Sequence, residues 1–169
     1  MSNTKLLQPD LVLGDTILGL TPEILIHYNI KGLVLDVDET LVPLKQSQVS
    51  QELEQWIETI KQVTPIWLVS NNLSEGRISR IANTLTLPYL LGAVKPSRRK
   101  LRQAVQSMKL PVSGVAMVGD RLFTDVLAGN RLGMFTILVK PMADTTLTTH
   151  YHPIHNFEIW LSRILGVSL

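Results

Sequence analysis

The sequence predicts a single α/β domain, a Rossmann-like three-layer sandwich with a central parallel sheet of about five strands, and three observations carry that expectation. Short apolar runs alternate along the chain with longer segments of helical period, as in folds that lay helices on both faces of a parallel sheet. The runs are apolar throughout, as in Leu33-Val34-Leu35 and Ile66-Trp67-Leu68-Val69, which suits strands buried on both faces. With 169 residues, 45% of them hydrophobic, the chain can fill one core but not two comfortable domains, so 1–169 reads as one domain.

The elements follow in order. Thr21-Pro22-Glu23 starts a helix, with Thr21 as N-cap and Pro22 in the first turn. The first strand spans about 32–36. Ser50 caps a helix to about 63, with Leu53, Trp56, Ile57 and Ile60 on one stripe. A second strand, 65–70, precedes a helix over 74–85 that buries Ile78, Ile81 and Leu85. A short third strand lies at 89–91, and a basic helix at 97–108 turns Leu101, Ala104, Val105 and Met108 inward. A fourth strand at 115–118 leads to a helix over 125–132 closed by Gly133, then a fifth strand at 135–139. Asn156 caps a last helix, 156–165.

Composition excludes several classes. There is no cysteine, hence no disulfide, thiolate or zinc–cysteine chemistry, which suits a cytoplasmic setting. No segment has the roughly 20 apolar residues of a membrane span, and the first 13 residues lack the pattern of a secretory signal. A net charge of +2 does not imply nucleic acid. Lys95, Arg98, Arg99, Lys100, Arg102 and Lys109 follow one another without an intervening acid. They form either a solvated helix face or a surface attracted to anionic headgroups or a phosphorylated substrate.

Polar residues gather where strands end. Asp36 and Asp38 end the first strand, Ser70-Asn71-Asn72 the second, Lys95-Pro96 follow the third, and Gly119-Asp120 end the fourth with Asp125 just beyond. Ligands of such folds bind at the carboxyl ends of the strands. Buried carboxylates need a partner or take up a proton, and a bound cation is the simplest partner. Strand alternation would point Asp36 and Asp38 the same way. Carboxylates for a hard divalent ion, a lysine and hydrogen-bond donors together suit phosphoryl transfer. An EF-hand starting at Asp36 fails, because Leu41 and Ser47 stand where Gly and Glu are required. A phosphate-accepting receiver domain would present its acids and lysine in another order, and no Walker or Rossmann glycine pattern occurs. Three histidines, His150, His152 and His155, are interrupted by Pro153 and read as structural or solvated rather than as a metal site.

Asp36-Val37-Asp38-Glu39-Thr40, Ser70, Lys95-Pro96 and Gly119-Asp120…Thr124-Asp125 resemble, in order, the four motifs of the haloacid dehalogenase-like (HAD) phosphatases. The resemblance implies an aspartyl-phosphate mechanism with Asp36 as nucleophile and Asp38 as the acid, then base. It implies that Ser70, Asn71 and Lys95 hold the substrate phosphate and that Thr40 positions the first loop. It implies Mg2+ held by Asp36, Asp38 through its backbone carbonyl, Asp120 and Asp125. Each residue also has a structural reading: Ser70 or Asp125 as a helix cap, Lys95 solvated, Asn71, Asn72 and Thr124 as loop formers.

The intervals between motifs leave no room for an inserted cap domain, so an open site is expected, suited to a phosphate carried on something large. The lead-in Gln8-Pro9-Asp10, the step Asn29-Ile30-Lys31-Gly32, Thr40-Leu41-Val42-Pro43 and Gly129-Asn130 resemble the capless subclass IIIA, in the branch of YqeG-like proteins and phosphatidylglycerophosphate (PGP) phosphatases. Many members of that branch have Asn at the position of Glu39. The resemblance implies Mg2+-dependent dephosphorylation of PGP to phosphatidylglycerol, in the cytoplasm or at the inner face of a membrane. A phosphatase for nucleotides, sugars or protein, and a non-enzymatic scaffold of the same fold, are the alternatives. Leu6, Leu7, Leu11, Val12, Leu13, Ile17 and Leu18 either pack on the sheet or form an interfacial apolar surface.

Overall fold

The computed structural model describes residues 5–142. The proposed helix at 156–165 and the three histidines lie outside them. Six parallel strands form one sheet in the order β1-β6-β5-β2-β3-β4: β1 Leu11–Val12, β2 Gly32–Leu35, β3 Ile66–Val69, β4 Tyr89–Leu90, β5 Val115–Gly119 and β6 Phe135–Leu138. The helices are α1 Pro22–His27, α2 Gln51–Lys61, α3 Glu75–Leu85, α4 Arg99–Met108 and α5 Leu127–Leu132. Neighbouring strand residues point to opposite faces, and the core divides accordingly. Leu33, Leu35, Ala116, Val118 and Leu68 pack with α1, α2 and α3, whereas Val34, Val69, Val115 and Met117 pack with α4 and α5. The three-layer α/β expectation is therefore met.

Two details go beyond or differ from the expectation. Among the described residues the sheet has six strands, the additional one being β1, which pairs Leu11 with Ile137 and Val12 with Leu138 at the edge of the sheet. Two residues are too few to show a period, so only a pairing partner far along the chain reveals the strand. The N-terminal apolar set mostly packs: Ile17 is buried, and Leu11, Leu13 and Leu18 lie against the core. The helix expected over 125–132 begins three residues earlier, as a π-helical turn over Leu122–Val126 that runs into α5. Its amides reach back five residues, Val126 N–H to Arg121 O and Leu127 N–H to Leu122 O.

Local signals explain the helices that position the rim. Ser50 accepts the Leu53 amide at 3.2 Å and caps α2, and the indole of Trp56 donates to Leu20 O at 2.8 Å. Between β2 and β3 the chain supplies a loop and α2; between β3 and α4 it supplies α3 and β4. Neither interval holds an inserted domain. Strand order reverses at β2, which lies between β3 and β5, so a crevice opens at the carboxyl ends of the central strands.

Candidate active site

β2 delivers Asp36 to that crevice, and a turn rather than a continuing strand delivers Asp38. After Asp36 the amides of Leu41 and Val42 fold back onto Val37 O, and Glu39 adopts φ 64°. The alternation argument for the two acids is therefore corrected: their carboxylates part company. One oxygen from each of Asp36, Asp120 and Asp125 lies within 4.8 Å of the others, and all three residues are buried. Asp38 stands outside this group. Its carboxylate is paired with Arg77 of α3 and lies 3.5 Å from both Ser70 Oγ and Asn72 Nδ2.

Lys95 is buried at the centre, so the solvated reading does not hold. Its ammonium donates to Asp36 Oδ1 and Asp125 Oδ1, each at 2.6 Å, and to Val69 O at 3.3 Å. Thr40 Oγ1 lies 3.4 Å from Asp36 Oδ2 and 3.2 Å from Asp120 Oδ1, tying the first motif to the fourth. Asp125 is not an N-cap. It sits inside the π-turn, where Oδ2 accepts the Arg121 amide at 3.3 Å. Gly119 makes this possible, since a Cβ there would fall 2.2 Å from Asp125 Oδ2. Ser70 is fully buried and its Oγ accepts the Asn72 amide at 3.0 Å. Asn71 couples motif to motif: its Oδ1 accepts the Lys95 amide at 2.8 Å while its Nδ2 lies 3.4 Å from Lys95 O.

The electrostatics ask for a cation. Burial, then the neighbouring Asp125, push Asp36 up to about 7 against the pull of Lys95. Burial and Asp125 push Asp120 up to about 6. Asp125 and Asp36 together hold Lys95 charged despite its burial. Three buried carboxylates face one buried ammonium, and Arg121, half-exposed, comes only to 4.0 Å from Asp120. The shortfall is two positive charges, which is the charge of one divalent ion, and an all-oxygen donor set suits Mg2+.

Arg77 is the residue that sequence reasoning missed. Besides Asp38, its guanidinium donates to Gln46 O at 2.8 Å and Pro43 O at 3.1 Å, so one side chain fixes both the acid and the loop after it. Its signal was faint: an arginine in the first turn of a helix, seven residues after Ser70.

Comparison with known proteins identifies relatives of this chain. Residues 1–85 match the family model described as mitochondrial PGP phosphatase, and residues 93–153 match the HAD-hydrolase-like model. The phosphatase-named YqeG of Bacillus subtilis (strain 168) is 38% identical over 130 residues, covering 76% of this chain and 75% of that protein. Phosphatidylglycerophosphate phosphatase 1, chloroplastic/mitochondrial, of Arabidopsis thaliana is 28% identical over 130 residues, 72% of this chain but 37% of that protein. Among solved structures, a protein of Listeria monocytogenes serotype 4b superposes with a TM-score of 0.56 at 15% identity, covering 82% of this chain and all of that one. A HAD-like phosphatase structure from Mesorhizobium loti gives 0.52 at 18% identity, with 81% and 87% coverage, and supports the fold alone. With its four motifs gathered at one strand-end crevice and YqeG as a relative over most of its length, the chain belongs to the HAD-like phosphatases, in the family that joins YqeG to the PGP phosphatases.

Proposed function

We propose that this phosphatase is Mg2+-dependent, works through an aspartyl-phosphate on Asp36, and removes the terminal phosphate of phosphatidylglycerophosphate. One observation carries the reaction: the nucleophile candidate Asp36 and the acid candidate Asp38 are held apart by different partners, Asp36 by Lys95 and Asp38 by Arg77. Two acids with separate environments can take separate roles. A carboxylate oxygen of Asp36 forms a bond to phosphorus while the ester P–O bond breaks. Asp38 gives its proton to the departing alkoxide. Asp38 then takes a proton from water, whose oxygen attacks the acyl phosphate, and inorganic phosphate leaves with Asp36 regenerated. Lys95 and Ser70 face the phosphoryl oxygens in this reading, and Asn71 acts by fixing the Lys95 backbone. Asp36, Asp120, Asp125 and the Asp38 backbone would hold Mg2+, which when bound would supply positive charge to keep the acids ionised and offset charge on the phosphate.

The lipid substrate rests on the PGP-phosphatase family match over residues 1–85 and on the open crevice without an inserted domain. Purified protein is expected to release phosphate from PGP in mixed micelles with Mg2+, and Asp36→Asn to abolish it. Turnover of soluble phosphate esters with none on the lipid would overturn the substrate and leave the reaction. A beryllium fluoride adduct on Asp36 separates enzyme from scaffold, since only a competent nucleophile site traps it.

A further inference from the structure

Four large apolar side chains stand exposed where the chain leaves the carboxyl ends of four strands, three of them on loops and Phe123 on the π-turn after β5. Leu44 follows β2, Leu73 follows β3, Val94 follows β4 and Phe123 follows β5, with exposures of 48%, 81%, 71% and 51%. These strands are adjacent in the sheet, in the order β4-β3-β2-β5, so the four segments lie side by side along the crevice. The segments after β3 and β4 touch directly: Gly92 N–H donates to Asn72 O at 3.2 Å, and Leu73 Cδ2 stands 2.9 Å from where a Cβ on Gly92 would lie. The exposed charged residues on these four segments are all basic, namely Lys45, Arg98 and Arg121. Exposed acids resume on the helices, at Glu52 and Glu75.

Val94 makes the case sharpest. It holds φ 51°, a left-handed conformation that suits Gly or Asn and disfavours a β-branched residue. Its side chain is also largely exposed, so neither backbone preference nor packing within the protein accounts for valine there. Contact with something apolar outside the protein does. An apolar rim with cations interspersed matches an anionic bilayer, whose interface takes the apolar tips while its headgroups meet the arginines and lysine.

We infer that the rim formed by Leu44, Leu73, Val94 and Phe123 is the surface by which the protein sits on an anionic phospholipid bilayer, with the crevice facing the headgroups. This deepens the lipid-phosphatase reading above, and its test is independent of catalysis. Wild-type protein with Mg2+ present is sedimented with vesicles of phosphatidylcholine with or without phosphatidylserine, neither of which carries a phosphomonoester. Binding is expected with phosphatidylserine and weakening as salt is raised. Leu73→Glu with Val94→Glu should lower the partition coefficient at least about tenfold, since two apolar contacts become two charges repelled by the surface. Its hydrolysis of p-nitrophenyl phosphate should stay within about twofold of wild type, and Ile26→Glu with Val63→Glu, off the rim, should bind as wild type does. Val94→Asn should raise the melting temperature while lowering partition, two opposite signs that loss of folding cannot produce. Failure of wild type to bind, or binding of the Leu73/Val94 variant as tightly as wild type, overturns the surface. Vesicle binding without PGP hydrolysis sinks the lipid substrate and keeps the surface; hydrolysis in micelles without vesicle binding does the reverse.

Discussion

At the residue scale, the pairing of Arg77 with Asp38 separates the proposed acid from the cluster of Asp36, Asp120 and Asp125 and makes a prediction about leaving groups. An alkyl phosphate needs its departing oxygen protonated, whereas p-nitrophenolate departs without help. Arg77→Ala releases Asp38 and the loop at Pro43 and Gln46, so single-turnover phosphoryl transfer from an alkyl phosphate should fall about 100-fold, the usual worth of a placed acid. Transfer from p-nitrophenyl phosphate should fall only a few-fold, followed by slow turnover as the acyl phosphate waits for its base. Arg77→Lys should restore little, because an ammonium cannot span three acceptors as the fork does. Equal losses on both substrates would show that Arg77 merely supports the fold. Glu39 illustrates a different residue-level lesson: its left-handed backbone is one that asparagine adopts more readily than glutamate, and here the Leu44 amide at 2.9 Å holds the glutamate side chain.

At the scale of elements, the β1 edge strand is held by polar contacts as much as by its ladder. Asp10 Oδ2 accepts the Thr136 amide at 2.8 Å and lies 3.1 Å from Thr136 Oγ1, which is 3.0 Å from Asn130 Oδ1. Asn130 Nδ2 in turn donates to Leu6 O and Gln8 O, both at 2.8 Å. Two stretches noted far apart in the sequence, Gln8-Pro9-Asp10 and Gly129-Asn130, thus meet through one threonine of β6. Asn130→Ala should cost about 1–3 kcal/mol in urea unfolding, the penalty for unsatisfied polar groups, and expose the segment before Asp10 to protease. An unchanged cleavage pattern would refute the role of the network. This network also shows where legibility ended. Strands β2, β3, β5 and β6 and helices α2, α3 and α4 announced themselves by apolar runs, stripes and the Ser50 cap. β1 did not, because a two-residue strand owes its existence to partners more than 120 residues away. At the site, the acids, Ser70 and Lys95 were legible because few other uses exist for them at strand ends. Arg77 was not, because an arginine on a helix looks the same whether it meets solvent or an aspartate.

At the scale of the whole molecule, the charge imbalance of the crevice couples stability to pH and to metal. Asp36 and Asp120 titrate near 7 and 6 in the fold, against an ordinary 3.8. A carboxyl whose folded value is raised binds its proton more tightly in the native state, so its contribution is complete below about 3.8 and is lost as pH rises toward 7. Lys95 is raised as well, but its contribution persists through this window and is lost only in strong alkali. Metal-free protein should therefore lose melting temperature between pH 5 and 7.5 more steeply than Asp120→Asn, which lacks one of the two groups. Mg2+ should raise the melting temperature more at pH 7.5 than at pH 5, where it must displace protons to bind. Titration calorimetry of Mg2+ at pH 6.5 in buffers of different ionisation enthalpy should register proton release. Equal stabilisation by Mg2+ at both pH values, with no proton release, would mean that the cation binds away from Asp36, Asp120 and Asp125. The same coupling bears on the proposed catalysis, because an ion bound among Asp36, Asp120 and Asp125 would both stabilise the fold at neutral pH and keep Asp36 ionised for attack.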